Sequence, residues 1–147
     1  RIAFSTDGRT IYALCKLEGL RKSQDGGQTW SEVELPEKAN AYNDLVVDDL
    51  GTSTIFVSNN KGLFVSGDAG TTWTELSLPV TPEVNVISAV AINPQNNRQI
   101  FAAIRSTIYR SDDRGQTWRT ESLPTNRLVG DIAIDRSEPN KIYVGLK

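Results

Sequence analysis

The chain has 147 residues, and its 16 Lys and Arg residues against 18 Asp and Glu give a net charge of −2. This length fits one ordinary domain, and the balanced charge lacks the basic footprint of nucleic-acid-binding proteins. Histidine is absent, which excludes histidine-based triads and metal sites, and no apolar run approaches the ~18–20 residues that span a bilayer.

Cys15 is the only cysteine, so an internal disulfide is excluded, and its apolar strand pattern predicts a small core residue. The sequence starts at Arg1 and contains no methionine, from which we expect a processed, excised or engineered segment. No residue pattern indicates a cofactor, and the cellular compartment stays unknown.

Short β-strand signals, separated by turn residues, recur in groups of four along the chain. The first group predicts strands at 2–4, 10–16, 20–23 and 30–35. The second predicts strands at 44–47, 54–58, 63–66 and 73–78. The third predicts strands at 86–92, 100–104, 107–111 and 118–122, with a turn at 93–97. Two further strands are predicted at 130–134 and 141–146, and the lack of a 3.6-residue apolar period predicts almost no helix.

An eight-residue pattern, S-x-D-x-G-x-T-W, occurs three times between the predicted third and fourth strands, with its tryptophans 43 and 45 residues apart. Its repeated residues are Ser23, Asp25, Gly27, Thr29, Trp30, Ser66, Asp68, Gly70, Thr72, Trp73, Ser111, Asp113, Gly115, Thr117 and Trp118. Four antiparallel strands in every ~40–50 residues are typical of a β-propeller blade. We therefore predict an all-β propeller segment of about 3.5 four-stranded blades, from a ring of about 6–8 blades.

The chain is predicted to form one continuous domain made of successive blades. The blades are expected at 1–36, 37–79 and 80–124, followed by the first two strands of a fourth blade at 125–147. The first strand of each unit is expected to line the axis, because its apolar core is short and β-branched.

The repeated pattern predicts a structural hairpin. Its invariant glycine suits a positive φ in a tight turn, and its aspartate can accept backbone N–H bonds. The neighbouring Asp112 is not repeated, since Gln24 and Gly67 stand at the equivalent positions. A paired-carboxylate site would therefore depend on one residue, and the register of a calcium-binding loop is not met. We predict no catalytic residue and no metal site in the pattern.

The three copies of S-x-D-x-G-x-T-W resemble the Asp-box, or BNR repeat, of several propeller families. These families include sialidases, xyloglucan-degrading glycosidases, sortilin-type receptors, and photosystem II assembly factors with their bacterial relatives. The resemblance implies a propeller with its boxes on the periphery, away from the functional face. It does not select a function, although the blade length and the segment INPQNNRQI are most similar to the assembly-factor propellers.

One hypothesis is that the chain is part of a glycoside hydrolase. The resemblance to sialidases would imply an F/Y-R-I-P motif, which the sequence Arg1-Ile2-Ala3-Phe4 does not match. A xyloglucanase-like site needs two facing carboxylates. The candidates are Glu37, Asp44, Glu83 and Asp131, and the alternative is that they are solvated loop charges.

The preferred hypothesis is a non-catalytic binding or assembly module with a protein or glycan ligand. The loops expected on one face carry residue types common in interfaces, although each could also be an ordinary loop residue. These candidates are Tyr42, Asn43, Asn85, Arg105 and Arg127. A segment of 3.5 blades cannot close a ring, so we expect the ring to be completed in one of two ways. Either a second copy forms a dimer with seven blade-equivalents, or further blades of a parent protein complete the ring.

Overall fold

The computed structural model describes residues 1–35, 39, 41–48, 50, 51, 53–80 and 85–147. The first blade contains β1 (Ile2–Phe4), β2 (Ile11–Cys15), β3 (Gly19–Ser23) and β4 (Ser31–Val33). The second blade contains β5 (Tyr42–Val47), β6 (Ile55–Asn59), β7 (Leu63–Ser66) and β8 (Thr74–Leu76). The third blade contains β9 (Ile87–Asn93), β10 (Asn96–Ile104), β11 (Thr107–Ser111) and β12 (Arg119–Ser122). A half blade consists of β13 (Val129–Ile134) and β14 (Ile142–Leu146).

Within each sheet, strands adjacent in sequence pair antiparallel, and the described residues contain no helix. The first strands of successive blades contact one another, as expected for strands that line a propeller axis. The prediction of an all-β, partial propeller with four-stranded antiparallel blades is therefore confirmed.

Three details differ from the sequence prediction. The turn expected at 93–97 is only Pro94 and Gln95, because the side-chain oxygen of Asn93 accepts the Gln95 N–H (2.8 Å) and stabilises a tighter turn. Each fourth strand begins one residue after its tryptophan rather than at it. Cys15, expected in the core, is half-buried at the end of β2.

The hydrophobic core lies between the blades. Ile55 and Val57 are fully buried and belong to one core cluster with Tyr12 of the first blade. Phe56, between them in the same strand, belongs to the cluster shared with Ile100 of the third blade. Because side chains alternate along a strand, each central blade contributes to two interfaces.

Each S-x-D-x-G-x-T-W segment, called a box below, forms the hairpin between the third and fourth strands of its blade. In the third box the Ser111 hydroxyl donates to Asp113 (2.7 Å) and accepts the N–H of Gly115 (2.7 Å). Asp113 accepts the N–H of Thr117 (2.9 Å) and its hydroxyl. The same four hydrogen bonds occur in the first and second boxes. The hairpin polar groups thus bind one another.

The turn of each box contains two successive residues with positive φ, where the sequence predicted only one. The variable position, occupied by Gly26, Ala69 and Arg114, has φ values of 74°, 59° and 64°. The invariant glycine follows it, with φ values between 85° and 94°. The tight turn therefore places a non-glycine residue in the left-handed region in two of the three boxes.

The box glycine also contacts the preceding blade. A Cβ atom at Gly70 would lie 2.7 Å from Cγ1 of Val33, and one at Gly115 would lie 2.9 Å from Cδ1 of Leu76. At Gly27, in the first blade, the nearest atom would be Cδ1 of Ile11 at 3.6 Å. Glycine at the second and third boxes therefore permits close packing between blades as well as the turn.

The hydrogen bonds of the box lower the pKa of its aspartate. For Asp68 and Asp113 the pKa falls to about 2, mainly because the threonine hydroxyl and N–H of the same box donate to the carboxylate. The pKa of Asp25 falls for the same reason. A carboxyl group with a lowered pKa in the folded state stabilises the fold above its unfolded pKa, and this contribution is lost as the pH falls through the folded value.

We predict that Asp113→Asn lowers the melting temperature by about 3–6 °C at pH 7, because the amide has one acceptor oxygen and cannot accept both the Thr117 N–H and the Thr117 hydroxyl, which donate to different oxygens of Asp113. The difference from the wild-type chain should shrink between about pH 4 and pH 2, as Asp113 itself becomes protonated. Thermal unfolding followed by circular dichroism across this pH range measures both effects.

The matched control is Asp112→Asn, on the neighbouring residue of the same hairpin. Asp112 binds the side chains of Gln99 and Arg110 at the surface, where such pairs contribute little. An equal loss in both variants at pH 7 would contradict the proposed role of the box aspartate.

We predict that Gly70→Ala is more destabilising than Gly27→Ala, although φ is 94° at both positions. Both changes place a Cβ in the left-handed region, at a cost of about 1–2 kcal/mol. Only the new Cβ at residue 70 meets Val33, whose branched side chain is stiff, which adds about 1–3 kcal/mol. Urea denaturation measures the two free energies of unfolding, and equal losses would argue against close packing between the blades.

Candidate functional site

One position, called the central position below, is equivalent in all four inner strands and carries a charged residue in three of them. The residues at this position are Arg1, Asp44, Ala89 and Asp131, because each lies opposite the equivalent residue of the second strand in its own blade. The Arg1 guanidinium binds Asp44 through Nε (2.9 Å) and Asp131 through Nη2 (3.0 Å). Arginine from the first blade therefore joins the second blade and the half blade across the axis.

Asp44 is buried, with 2% of its side chain exposed. Its Oδ1 accepts the N–H of Leu45 (2.9 Å), and its Oδ2 accepts the N–H of Val90 in the third blade (2.8 Å). Burial raises the pKa of Asp44, and the Val90 N–H and the charge of Arg1 oppose this rise. Burial would lower the pKa of Arg1, but its hydrogen bond to Asp131 and the two carboxylate charges raise it. The arrangement binds both oxygens of Asp44 within the fold.

A β-bulge precedes this central position in three inner strands. The extra residues are Asn43 in β5, Ser88 in β9 and Gly130 in β13. The Ser88 hydroxyl donates to the Val129 carbonyl (2.7 Å), which links the third blade to the half blade. Within the described residues, Nδ2 of Asn43 is buried without a hydrogen-bond partner. Bulges re-aim side chains, and here they place polar groups beside the central position.

A cleft of about 330 Å³ lies at this face of the inner strands. It is lined by Arg1, Leu14, Lys16, Tyr42, Asn43, Val86, Ser88 and Lys147, and its described lining contains three basic side chains and no carboxylate. We call it the cationic cleft. Because Arg1 is already paired with Asp44 and Asp131, Lys16 and Lys147 are the basic side chains that could attract a carboxylate-bearing ligand, and Tyr42 and Asn43 add polar groups to the wall.

The five residues predicted for a binding face are only partly brought together. Tyr42 and Asn43 line the cationic cleft. Arg127 lies beside it, because its guanidinium donates to the carbonyls of Lys147 (3.1 Å) and Leu146 (3.3 Å). Asn85 precedes the lining residue Val86, whereas Arg105 lies outside the lining and its carbonyl accepts the Val129 N–H. Their binding role stays a prediction.

Two of the four carboxylates predicted as glycosidase candidates lie in the described part of the structure. Asp44 and Asp131 meet at the Arg1 guanidinium, while Glu37 and Glu83 lie outside the described residues. Across the described ranges, no group of three or more metal-ligating side chains could hold an ion, and no helix is long and apolar enough to cross a membrane.

The sequence interpretation assigned no role to Arg1, although a signal for it was present. Each repeat has an isoleucine followed by an aromatic residue in its second strand, at positions 11–12, 55–56, 100–101 and 142–143. Arg1 precedes the first of these pairs by 10 residues, and Asp44, Ala89 and Asp131 precede theirs by 11. Aligning the repeats on these pairs would have placed Asp44, Ala89 and Asp131 at one position, with Arg1 one residue away from it. The Asn43 bulge left no comparable signal.

Solved structures with the same fold include two kinds of propeller. An ancestral GH74 enzyme matches with a TM-score of 0.83 and 22% identity, covering 99% of this chain and 21% of that protein. YCF48 from Cyanidioschyzon merolae matches with a TM-score of 0.75 and 16% identity, covering 97% of this chain and 46% of that protein. A structure of YCF48 bound to D1 peptide matches with a TM-score of 0.69 and 18% identity, covering 94% and 44%.

These identities show a common fold, and the chain spans less than half the length of each of these structures. No curated protein matches the sequence. The family model of photosynthesis system II assembly factor YCF48, a BNR-repeat family, matches residues 1–146. With three boxes in a partial propeller and a match over nearly its whole length, the chain belongs to the YCF48 assembly factor family.

Proposed function

We propose that this propeller segment is a non-catalytic module that binds a carboxylate-bearing peptide in the cationic cleft. The observation that carries the proposal is the engagement of Asp44 and Asp131 by one guanidinium. Asp44 also accepts two backbone N–H groups and is 2% exposed. A glycosidase carboxylate must exchange protons with substrate or water, and these contacts oppose that role for Asp44.

The same contacts favour binding. Arg1 is held by two carboxylates, and Lys16 and Lys147 provide positive charge around the cleft. Nδ2 of Asn43, which is buried without a hydrogen-bond partner among the described residues, is a donor at the wall of the cleft. A peptide is also the ligand named for one structure of a family member, YCF48 bound to D1 peptide.

We further propose that the open end of the first blade is covered in the complete assembly. Ile2 and Phe4 are 66% and 65% exposed, whereas Leu45, at the matching position of the second blade, is 5% exposed. A second copy or further blades of a longer protein could cover this face. The mass in solution distinguishes these cases. A stable dimer would indicate that a second copy covers the open face, and a 16.2 kDa monomer would indicate that other blades cover it.

For the cleft, we predict that the D1 peptide binds this chain and that Lys16→Glu weakens binding about five- to tenfold, mostly through slower association. The effect should decrease at high salt, because exposed charges are screened. Fluorescence anisotropy with a labelled peptide at two salt concentrations measures both. The matched control is Arg9→Glu, an equal charge change in the β1–β2 turn outside the cleft lining.

Equal weakening by both variants would mean that net charge, and not the cleft, controls binding. Hydrolysis of xyloglucan or a fluorogenic sialoside by the wild-type chain would contradict the non-catalytic assignment and favour the glycoside hydrolase alternative. Loss of that hydrolysis in Asp131→Asn would then place the reaction at the centre of the propeller.

A further inference from the structure

A cavity of about 400 Å³ lies between the second and third blades, at the end of the sheets that carries the boxes. This volume suits a small molecule. Side chains of both polar and apolar type line it, among them Phe56, Val65, Gly67, Thr74, Asn97 and Arg114. Within its described lining, Arg114 is the one basic residue and no carboxylate is present. We call it the interblade cavity.

The interface between the first and second blades shows what occupies the equivalent space there. Lys22 pairs with Tyr12 in the first blade. Val65, which pairs with Phe56, is the equivalent residue of the second blade. The Lys22 ammonium lies 5.7 Å from the centroid of the Tyr12 ring and donates to the carbonyl of Ala69 in the next box (3.3 Å). The Lys22 side chain therefore crosses the space between these two blades.

Smaller side chains in the second blade leave the interblade cavity open. Val65 replaces the lysine, and Gly67 stands where the first box has Gln24. Positive charge comes instead from the opposite wall, because Arg114 occupies the variable position of the third box, where the second box has Ala69. The cation is thus supplied by the box rather than by the third strand, and it borders an unfilled cavity.

Arg114 is oriented at this cavity by hydrogen bonds, although its backbone is strained. Its φ is 64°, in the left-handed region that a long side chain rarely adopts, and such strain is concentrated at functional sites. Its Nη2 donates to Oδ1 of Asn97 (3.2 Å). Nδ2 of Asn97 in turn donates to the buried carboxylate of Asp48 (2.9 Å). Among the described residues the guanidinium makes no other hydrogen bond, so most of its donors remain for a ligand.

From this arrangement we propose that the interblade cavity binds a small carboxylate with an apolar body. The guanidinium of Arg114 binds the carboxylate, because its planar fork of donors matches two carboxylate oxygens. The apolar body lies beside Phe56 and Val65, in the space that the Lys22 side chain crosses in the first interface. The described linings of this cavity and of the cationic cleft share no residue, so the inference does not depend on peptide binding in the cleft.

The test uses the chain of residues 1–147 with benzoate as the probe, followed by NMR titration of the backbone amides. We expect saturable shifts at Gly67 and Arg114, which lie on opposite walls of the cavity. Benzyl alcohol, which lacks the charge, and acetate, which lacks the ring, should each bind about tenfold more weakly. Benzylamine should also bind more weakly than benzoate, because Arg114 repels an ammonium group. Tighter binding of benzylamine would overturn the proposal, since the cavity would then accept a cation like that of Lys22.

Two substitutions separate binding from folding. Arg114→Gly should weaken benzoate binding at least about tenfold without lowering the melting temperature, because glycine adopts a φ of 64° freely. Gly67→Gln should block the cavity without changing its charge, since a Cβ atom at residue 67 would meet no atom within 4 Å. The matched control is Arg98→Gln, which removes an equal charge from an exposed residue of β10 outside the described lining and should leave affinity unchanged.

Three results would overturn the proposal. Equal weakening by Arg98→Gln and Arg114→Gly would mean that net charge controls binding. Affinity insensitive to Gly67→Gln, or shifts confined to residues of the cationic cleft such as Lys16, would place benzoate elsewhere. The absence of saturable shifts with benzoate would mean that the cavity does not recognise a carboxylate.

Discussion

Packing between neighbouring blades is the constraint on which the rest of this structure depends. Each sheet has two apolar faces, and the interior residues that pack between blades, such as Ile55 and Val57, are fully buried. At the open end of the first blade, Ile2 and Phe4 are about two-thirds exposed. A single four-stranded sheet cannot bury both faces, so every blade depends on its neighbours for stability. The box contributes to this packing through a glycine that the adjoining blade contacts closely.

The fold was predictable from the sequence because several independent features recur with the same period. Alternating apolar residues located most strands, and the invariant glycine and tryptophan located the hairpins. The predictions were less accurate where a side chain determined the local geometry. Asn93 shortens the turn before β10, and the left-handed residues Ala69 and Arg114 have no glycine to indicate them.

The candidate site was predictable only in part, because it is assembled from separate blades. Asp44 and Asp131 were predicted only as candidate glycosidase carboxylates, because their shared partner Arg1 is far from both in sequence. Tyr42 and Asn43 were selected for their residue type, and a bulge brings Asn43 to the cleft. Such contacts depend on blade rotation about the axis, which a repeat pattern does not specify. The family relationship likewise identifies the fold, whereas ligand specificity depends on the side chains that line the cleft.

Native-state hydrogen exchange of the three box glycines tests the dependence of each blade on its neighbour most directly. Their amides donate to the serine hydroxyls at 2.7–2.8 Å, so the local hydrogen bonds are alike. Only Gly70 and Gly115 pack on a preceding blade. We predict that these two amides exchange with the free energy of global unfolding and that Gly27 exchanges faster. Equal protection of all three amides would contradict the claim, because the boxes would then be stabilised by their own hydrogen bonds alone.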